Sequence, residues 1–280
     1  MRRLPNVTRE SPSIPRRLLR EGKPHLIPVY ALMLTSDLGR EGIERSGSFR
    51  FADHVYRNVP GGRFGIGWLL DAALLRLPAA RSMRSRYVHS RDVIVAEVRA
   101  RAAAGARDVR IVSAPCGIAR EMVDAADAID RDTALSAVRV HFHGIDLDPE
   151  PLALSRELAG ARPDFTFASG DAFDPAAYPP ATDVIVSTGL VDFLDDESAI
   201  RFFTACHAAL RAGGVLVTSS QQPQALADYL MRELAELRPV YRGPAQITDV
   251  VRAAGFTDVS ARADAVGLQT LVTARKAGTP

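Results

Sequence analysis

Val138-Arg-Val-His-Phe-His-Gly-Ile-Asp-Leu-Asp148 is the stretch that decides the fold. Its first eight residues, to Ile145, form a short strand rich in β-branched and aromatic side chains. A carboxylate follows at once, and Pro149 and Pro151 then sit in the first turn of a helix running to Ala159, where proline is well tolerated. The same grammar repeats on both sides. Upstream, Val109 to Ala114 reads as a strand and Ile118 to Ile129 as a helix. Downstream come strands at Phe165 to Ser169, Val184 to Ser187 and Gly214 to Thr218, with a helix around Ala199 to Leu210. Strand alternating with helix predicts a parallel sheet covered on both faces. The ending departs from this. Phe256 to Ala263 and Leu268 to Arg275 are strand-like and separated by only a few residues that include Gly267. Parallel neighbours need a crossover of about a dozen residues, so this pair is expected to be an antiparallel hairpin.

The first third of the chain has a helical period instead. Residues 1–24 read as a flexible, dispensable tail, with Pro5, Pro12, Pro15 and Pro24 among arginines. Apolar stretches follow at Ile27 to Leu38 and Phe49 to Tyr56, the latter ending at the breaker Pro60-Gly61-Gly62. Trp68 to Leu77 is spaced as a helix and is expected to stop at Pro78, while Arg84 to Ala104 is expected to be the longest helix, stopped by Gly105. The organisation expected is a tail (1–24), a helical module (25–106) and a sheet domain (107–280).

Composition narrows the class. The 280 residues are 47% hydrophobic, which describes a globular chain and excludes wholesale disorder. No apolar run reaches the ~20 residues needed to span a bilayer, because Asp71 and Arg76 interrupt the best candidate, Gly65 to Leu77. No membrane association is expected. The start Met-Arg-Arg, followed by Pro5, Asn6 and Thr8, lacks the apolar core of a secretory signal. Two cysteines cannot build a disulfide framework or a four-ligand zinc site, so a reducing, cytoplasmic setting is the default. Charge is divided unevenly: residues 1–110 hold 21 basic and 10 acidic side chains, and residues 111–280 hold 14 and 23. The two parts attract each other, or the first attracts an acidic ligand or a protein partner. Nucleic acid is disfavoured, since clustered lysines and aromatic ladders are missing.

In an open parallel sheet, ligands bind past the carboxyl ends of the strands. Four segments occupy that rim: Ser113-Ala-Pro-Cys-Gly-Ile-Ala-Arg-Glu121, Gly144-Ile-Asp-Leu-Asp148, Ser169-Gly-Asp-Ala-Phe173 and Ser187-Thr-Gly-Leu-Val-Asp192. A carboxylate ending the second strand can accept both hydroxyls of a ribose, which fits Asp146, while Asp148 suits a helix cap. The Gly-x-Gly-x-x-Gly fingerprint of a nicotinamide enzyme is absent, and neither lysine lies near a glycine-rich turn as phosphate transfer would require. His141 and His143 share a strand face without a third ligand nearby, so no metal site is expected. Cys116 reads as packing at the turn.

Taken together, these segments resemble the class I S-adenosylmethionine-dependent methyltransferases from about Arg107 to Lys276. Gly144-Ile-Asp146 matches the second motif of that family, and Gly170-Asp171-Ala172 the third. Asp183-Val-Ile-Val-Ser187 and Leu210-Arg-Ala-Gly-Gly214 look like its fourth strand and the approach to its fifth, and Ala254-Gly255-Phe256 precedes the hairpin as is usual there. The first motif departs from the pattern. Ser113 stands where an acidic residue is common, and Pro115 and Ala119 stand for the outer glycines, leaving Gly117. The resemblance implies an α/β, Rossmann-like fold with a seven-stranded mixed sheet, a terminal antiparallel hairpin and a helical lid before it. It also implies S-adenosyl-L-methionine as cofactor, held by Ala114, Pro115, Gly117, Asp146, Leu147, Asp171, Ala172, Ser187 and Thr188.

Methyl transfer is an in-line displacement that asks mainly for positioning and, for a protonated nucleophile, a nearby base. Asp192, the first carboxylate beyond the fourth strand, is the leading candidate, against the plainer account that it caps the following helix. Tyr56, Tyr87 and His89 are the candidates from the helical module. They lie in Phe51-Ala-Asp-His-Val-Tyr-Arg57 and Arg86-Tyr-Val-His-Ser-Arg-Asp92, where a core tyrosine or a paired arginine is the plainer account. Gln221, Gln222, Tyr241 and Arg242 are further candidates for the wall. The Asn/Asp-Pro-Pro-aromatic signature of adenine and amide methylation is replaced by Ser187-Thr-Gly-Leu, which favours a small molecule, with an anionic group if the arginines bind it. The methyl acceptor is O, N or C. Two other readings stay open: an S-adenosylmethionine-supported cyclisation or elimination, and a non-catalytic binding or regulatory protein on the same fold.

Overall fold

A computed structural model of the chain describes residues 13–45 and 47–278. The helices are α1 (Ser13–Arg20), α2 (Leu26–Met33), α3 (Asp37–Glu44), α4 (Phe49–Arg57), α5 (Ile66–Arg76) and α6 (Pro78–Ala103). After them come β1 (Asp108–Ser113), α7 (Arg120–Asp130), β2 (Arg139–Asp146), α8 (Pro149–Ala159), β3 (Phe165–Ser169) and β4 (Thr182–Thr188). The chain then forms α9 (Asp196–Ala209), β5 (Leu210–Gln221), α10 (Ala225–Leu234), α11 (Pro244–Ala253), β6 (Asp258–Ala263) and β7 (Gln269–Arg275). None of the described helices is long and apolar enough to cross a membrane.

The described residues fall into two compact units, one of residues up to 84 together with 223–239, the other of residues 85–222 and 240–280. The larger unit is the α/β part. Its seven strands run in the order β3-β2-β1-β4-β5-β7-β6. β1 to β5 are parallel, and β7 pairs antiparallel with both β5 and β6. The expected fold, including its closing hairpin, is the one observed. Alternation along the strands sends residues to two cores. Val109, Ile111, Val184, Val186, Val215 and Val217 pack with Ile94 and Val98 of α6 and Met122 of α7. Val112, Ile185, Leu216 and Val272 pack with Phe202 and Phe203 of α9 and Ile247 and Val251 of α11. At the amino end of β4, buried Asp183 receives the Arg110 backbone N–H at 2.8 Å and an ion pair from Arg101 at 3.0 Å, so this charge is structural.

The smaller unit is helical. Ile14 and Leu18 of α1 are buried with Leu26, Tyr30, Ile43 and Leu234. Residues 13–20 therefore correct the expectation of a dispensable tail: two apolar side chains four apart make one buried face. The rest of that tail, 1–12, lies outside the described residues. Ile27 to Leu38 is also two helices rather than one stretch, because Ser36 caps α3, its hydroxyl accepting the Gly39 N–H at 2.9 Å. Pro78 does not merely stop α5. It opens α6, whose first turn needs no N–H from it.

The organiser of this unit is Asp71, the residue that interrupts the long apolar run. It is wholly buried and accepts the Ser36 hydroxyl at 2.5 Å and the backbone N–H groups of Leu38 at 2.7 Å and Gly61 at 3.0 Å. His54 Nε2 lies 2.8 Å from Oδ2, the oxygen that also takes the Gly61 N–H, while Ser36 and Leu38 share Oδ1. Burial opposes the charge, but these donors outweigh it and hold the carboxyl below its ordinary range.

Candidate functional site

β1, β2 and β3 run outward in one direction from β1, and β4 and β5 run in the other, so the topological switch point lies between β1 and β4. The β1 turn is built around Gly117, whose φ of +51° is in the left-handed region. Its N–H donates to Asp146 Oδ2 at 2.9 Å, and the Asp148 N–H donates to Asp146 Oδ1 at 3.0 Å. Cys116 N–H reaches back to the Ile145 carbonyl at 2.8 Å. The β1 turn and the end of β2 are thus one piece. Asp148 caps α8 through the Glu150 N–H at 3.0 Å, as expected, which leaves Asp146 to the ligand side.

Each carboxylate oxygen has room for more than one donor, and Asp146 is half-buried, so its oxygens retain capacity for a diol. Burial pushes its carboxyl above the ordinary carboxylate range, and the backbone N–H groups of Asp148, Gly117 and Leu147 oppose that shift. Leu147 beside it is 61% exposed. Asp171 is half-buried and accepts the Phe173 N–H at 3.0 Å, Ala172 is buried, and Gly170 donates to the Asp146 carbonyl at 3.1 Å. Ala114, Pro115, Ser187 and Thr188 end the central strands, where Ala114 N–H meets the Val186 carbonyl at 3.0 Å. The buried hydroxyls of Ser187, Ser219 and Ser220 have no protein hydrogen-bond partner. Orphaned hydroxyls at the carboxyl ends of β4 and β5, together with a half-buried carboxylate ending β2, are polar groups that a nucleoside ligand would satisfy, so the residues present fit that group.

Asp192 is 0% exposed. Its Oδ1 accepts the Gln221 N–H at 2.9 Å, its carbonyl accepts the Val240 N–H at 2.7 Å, and its Oδ2 lies 3.9 Å from Arg86. Burial pushes its carboxyl up to about 6, opposed chiefly by Arg86. It does not cap the following helix. Asp195 does, through the Ser198 N–H at 2.8 Å.

The other candidates lie apart. The Tyr87 hydroxyl donates to Asp124 of α7, and burial with that carboxylate pushes its ionisation far up. His89 Nε2 is 3.4 Å from Thr273 Oγ1, and Thr273 pairs with Val217, four residues short of the end of β5. This places His89 on the face of the sheet, with burial and Arg262 holding it below the ordinary imidazole range. Tyr56 belongs to the helical unit and packs near Leu38, Val55 and Leu75. Gln222 Nε2 donates to Thr270 at 3.1 Å. Burial and the Asp146 and Glu121 carboxylates hold the Cys116 thiol protonated. Among the described residues no group of three His, Cys, Asp or Glu could hold a metal; His141 and His143 pair with Asp108 and Thr166.

Two residues, Glu121 and Arg86, were not singled out by the sequence, and a third, Arg242, expected at the wall of the pocket, fixes a loop instead. Glu121, in the first turn of α7, accepts the Ser113 hydroxyl at 3.0 Å, placing a carboxylate against the β1 position that lacks one. Arg86 is buried beside Asp192. Arg242 is buried and donates to the carbonyls of Val191 at 2.9 Å and Leu194 at 2.7 Å and to Asp196 at 2.8 Å, fixing the loop after β4. The stretches 113–121 and 86–92 carried Glu121 and Arg86 without distinguishing them.

A sheet of this order, with an antiparallel seventh strand and an acidic end to β2, defines the class I methyltransferase fold. Residues 35–276 match the sequence profile of the family described as "Putative methyltransferase", and the chain belongs to that family. The family implies S-adenosylmethionine as methyl donor. No curated protein sequence matches the chain. Among solved structures it is similar to a "possible exported protein" from Bordetella parapertussis, at 22% identity and a TM-score of 0.77 over 99% of this chain and all of that one. It is also similar to the S-adenosylmethionine-dependent methyltransferase SibL, at 17% identity and a TM-score of 0.54 over 94% of this chain and 77% of that one. Magnesium protoporphyrin IX methyltransferase from Synechocystis PCC 6803, solved with S-adenosylhomocysteine, shares 13% identity and a TM-score of 0.53 over 80% of this chain and 94% of that one. These likenesses are of fold.

Proposed function

We propose that the chain binds S-adenosylmethionine at the β1–β4 switch point and transfers its methyl group to a small molecule. The observation that carries this is Asp146, a half-buried carboxylate fixed by the Gly117 and Asp148 N–H groups at the end of β2. In this reading Asp146 takes the ribose hydroxyls, Ala172 and Asp171 flank the base, and Ser187 and Thr188 edge the transferable group. The bound cofactor supplies the electrophilic methyl. The protein's part is to hold the acceptor in line with it and to exclude water. Asp192 is a positioning residue that ties the β4 loop to the end of β5. Calorimetric titration with S-adenosylhomocysteine, followed by tritium transfer from labelled cofactor to candidate acceptors, tests the reading. Absence of binding to either form of the cofactor overturns it.

A further inference from the structure

Glu121, Asp192 and Arg86 flank the switch point from three elements. Glu121 stands in the first turn of α7, directly after the β1 turn, and Asp192 follows β4. Arg86 comes from α6, and all three are buried. Arg86 is 3.9 Å from Asp192, and Glu121 accepts the Ser113 hydroxyl at 3.0 Å at the end of β1. Gly189, with φ of +94°, leaves the space the guanidinium uses: a Cβ there would lie 3.3 Å from it. Of the other charges facing these groups, Arg242, beside Asp192, pairs with Asp196, and Asp124, beside Glu121, takes only the neutral Tyr87 hydroxyl and so adds negative charge on that side. Ser113 and Cys116 supply uncharged groups on the Glu121 side, and Gln221 does so on the Asp192 side. Two buried carboxyls therefore stand at the switch point with one buried guanidinium, which lies against Asp192, and with both ionised these three groups carry one negative charge in excess.

An uncompensated buried charge is costly and is removed by a proton or by a cation. We propose that this cluster is a cation-selective determinant of the ligand site: a proton neutralises its excess charge in the ligand-free protein, and a positively charged ligand group displaces that proton to solvent. The inference rests on the cofactor reading above and names what that site selects, a sulfonium over a neutral thioether. Glu121 is the group that holds the proton longest, since burial pushes it up to about 7 and Asp192 only to about 6.

Calorimetry at pH 7 in two buffers of different ionisation enthalpy counts the protons released. Binding of S-adenosylmethionine should release about half a proton, the fraction held by a group titrating near that pH, and S-adenosylhomocysteine clearly less. Glu121→Gln should bind both ligands with little release and lose the preference for the sulfonium. Equal release by the wild type and Glu121→Gln, or equal release with both ligands, overturns the proposal. A second measurement needs no ligand. A carboxyl whose folded value is raised stabilises most at low pH, and that stability is lost as pH rises through the folded value. The wild-type melting temperature should fall between pH 5 and 8, and in Glu121→Gln it should fall less; an unchanged slope overturns the proposal even if neither ligand binds and the cofactor reading has failed. Asp192→Asn serves in the same two measurements if Glu121→Gln does not fold.

Discussion

The backbone N–H of Gln221 donates to Asp192 Oδ1 at 2.9 Å, so the last residue of β5 is tied to the turn that follows β4. The β4–β5 ladder ends at the Thr188–Ser219 pair, and beyond it the two segments are joined by this side chain. Asp192→Ala should remove the acceptor and cost about 1–3 kcal/mol, the penalty for an unsatisfied donor. Asp192→Asn keeps an oxygen in place and should cost less than about 1 kcal/mol at pH 8. Amide hydrogen exchange reads the difference directly: protection at Gln221 should fall in the alanine variant and persist in the asparagine variant. Loss of protection in both would mean that the charge, rather than the acceptor, holds the turn.

Asp146 is expected to be the strongest single contributor to cofactor affinity. Asp146→Ala should weaken S-adenosylhomocysteine binding by about 1.5–3 kcal/mol, the scale of a hydrogen bond to a charged group. Because Asp146 also holds the Gly117 N–H, Asp146→Asn should fall between the wild type and the alanine variant. Calorimetry on folded variants decides the matter, and unchanged affinity in Asp146→Ala would remove the ribose assignment.

What was legible in the sequence was local in origin. Asp148 followed by Pro149 fixes the start of α8 within two residues, and the β-branched runs of β2 to β4 each signal themselves. The Gly267 turn forces the β6–β7 hairpin by length alone. The misread elements depend on partners far along the chain. Leu18 is fully buried, but its cluster includes Leu234, more than two hundred residues away. Glu121 and Arg86 do not stand out within their stretches of sequence, because their burial arises only when α6 and α7 cover the same face of the sheet. Pro78 was read as a stop because a helix end and a helix start share that residue type. The place of Asp146 at the end of β2 was legible because the strand signals itself locally. Tyr87 was not, because Asp124 reaches it from another helix.

Gly189 gives a test of the loop after β4 from the backbone side. Its φ of +94° disfavours any side chain, and a Cβ would press on the Arg86 guanidinium at 3.3 Å. Gly189→Ala should cost about 1–2 kcal/mol from backbone strain, and more where Arg86 cannot yield. The accompanying shift of Arg86 should lower cofactor affinity while leaving the far end of the sheet, around Asp183, unchanged. Thermal unfolding, titration with S-adenosylhomocysteine and amide exchange at β4 check the three parts. A variant with wild-type stability and affinity would show that this glycine is dispensable.

The helical unit should fail first in acid, and Asp71 sets where. Its carboxyl is held below the ordinary value by Ser36, Gly61, Leu38 and His54 despite its burial. A group with a depressed folded value contributes stability that is present above the unfolded value, near 3.8, and is lost as pH falls through the folded one. Helix content reported by circular dichroism should therefore hold steady from neutral pH to about 4 and drop below it. Asp71→Asn keeps one accepting oxygen but turns an amide toward the Gly61 N–H, so it should lose roughly 3 kcal/mol or more at pH 7. Its remaining stability should then depend much less on pH between 5 and 3, because the titrating group is gone. A variant that loses stability at pH 7 yet keeps the wild-type acid transition would place the titrating group elsewhere, and a variant as stable as the wild type would show that α3, α4 and α5 do not depend on Asp71.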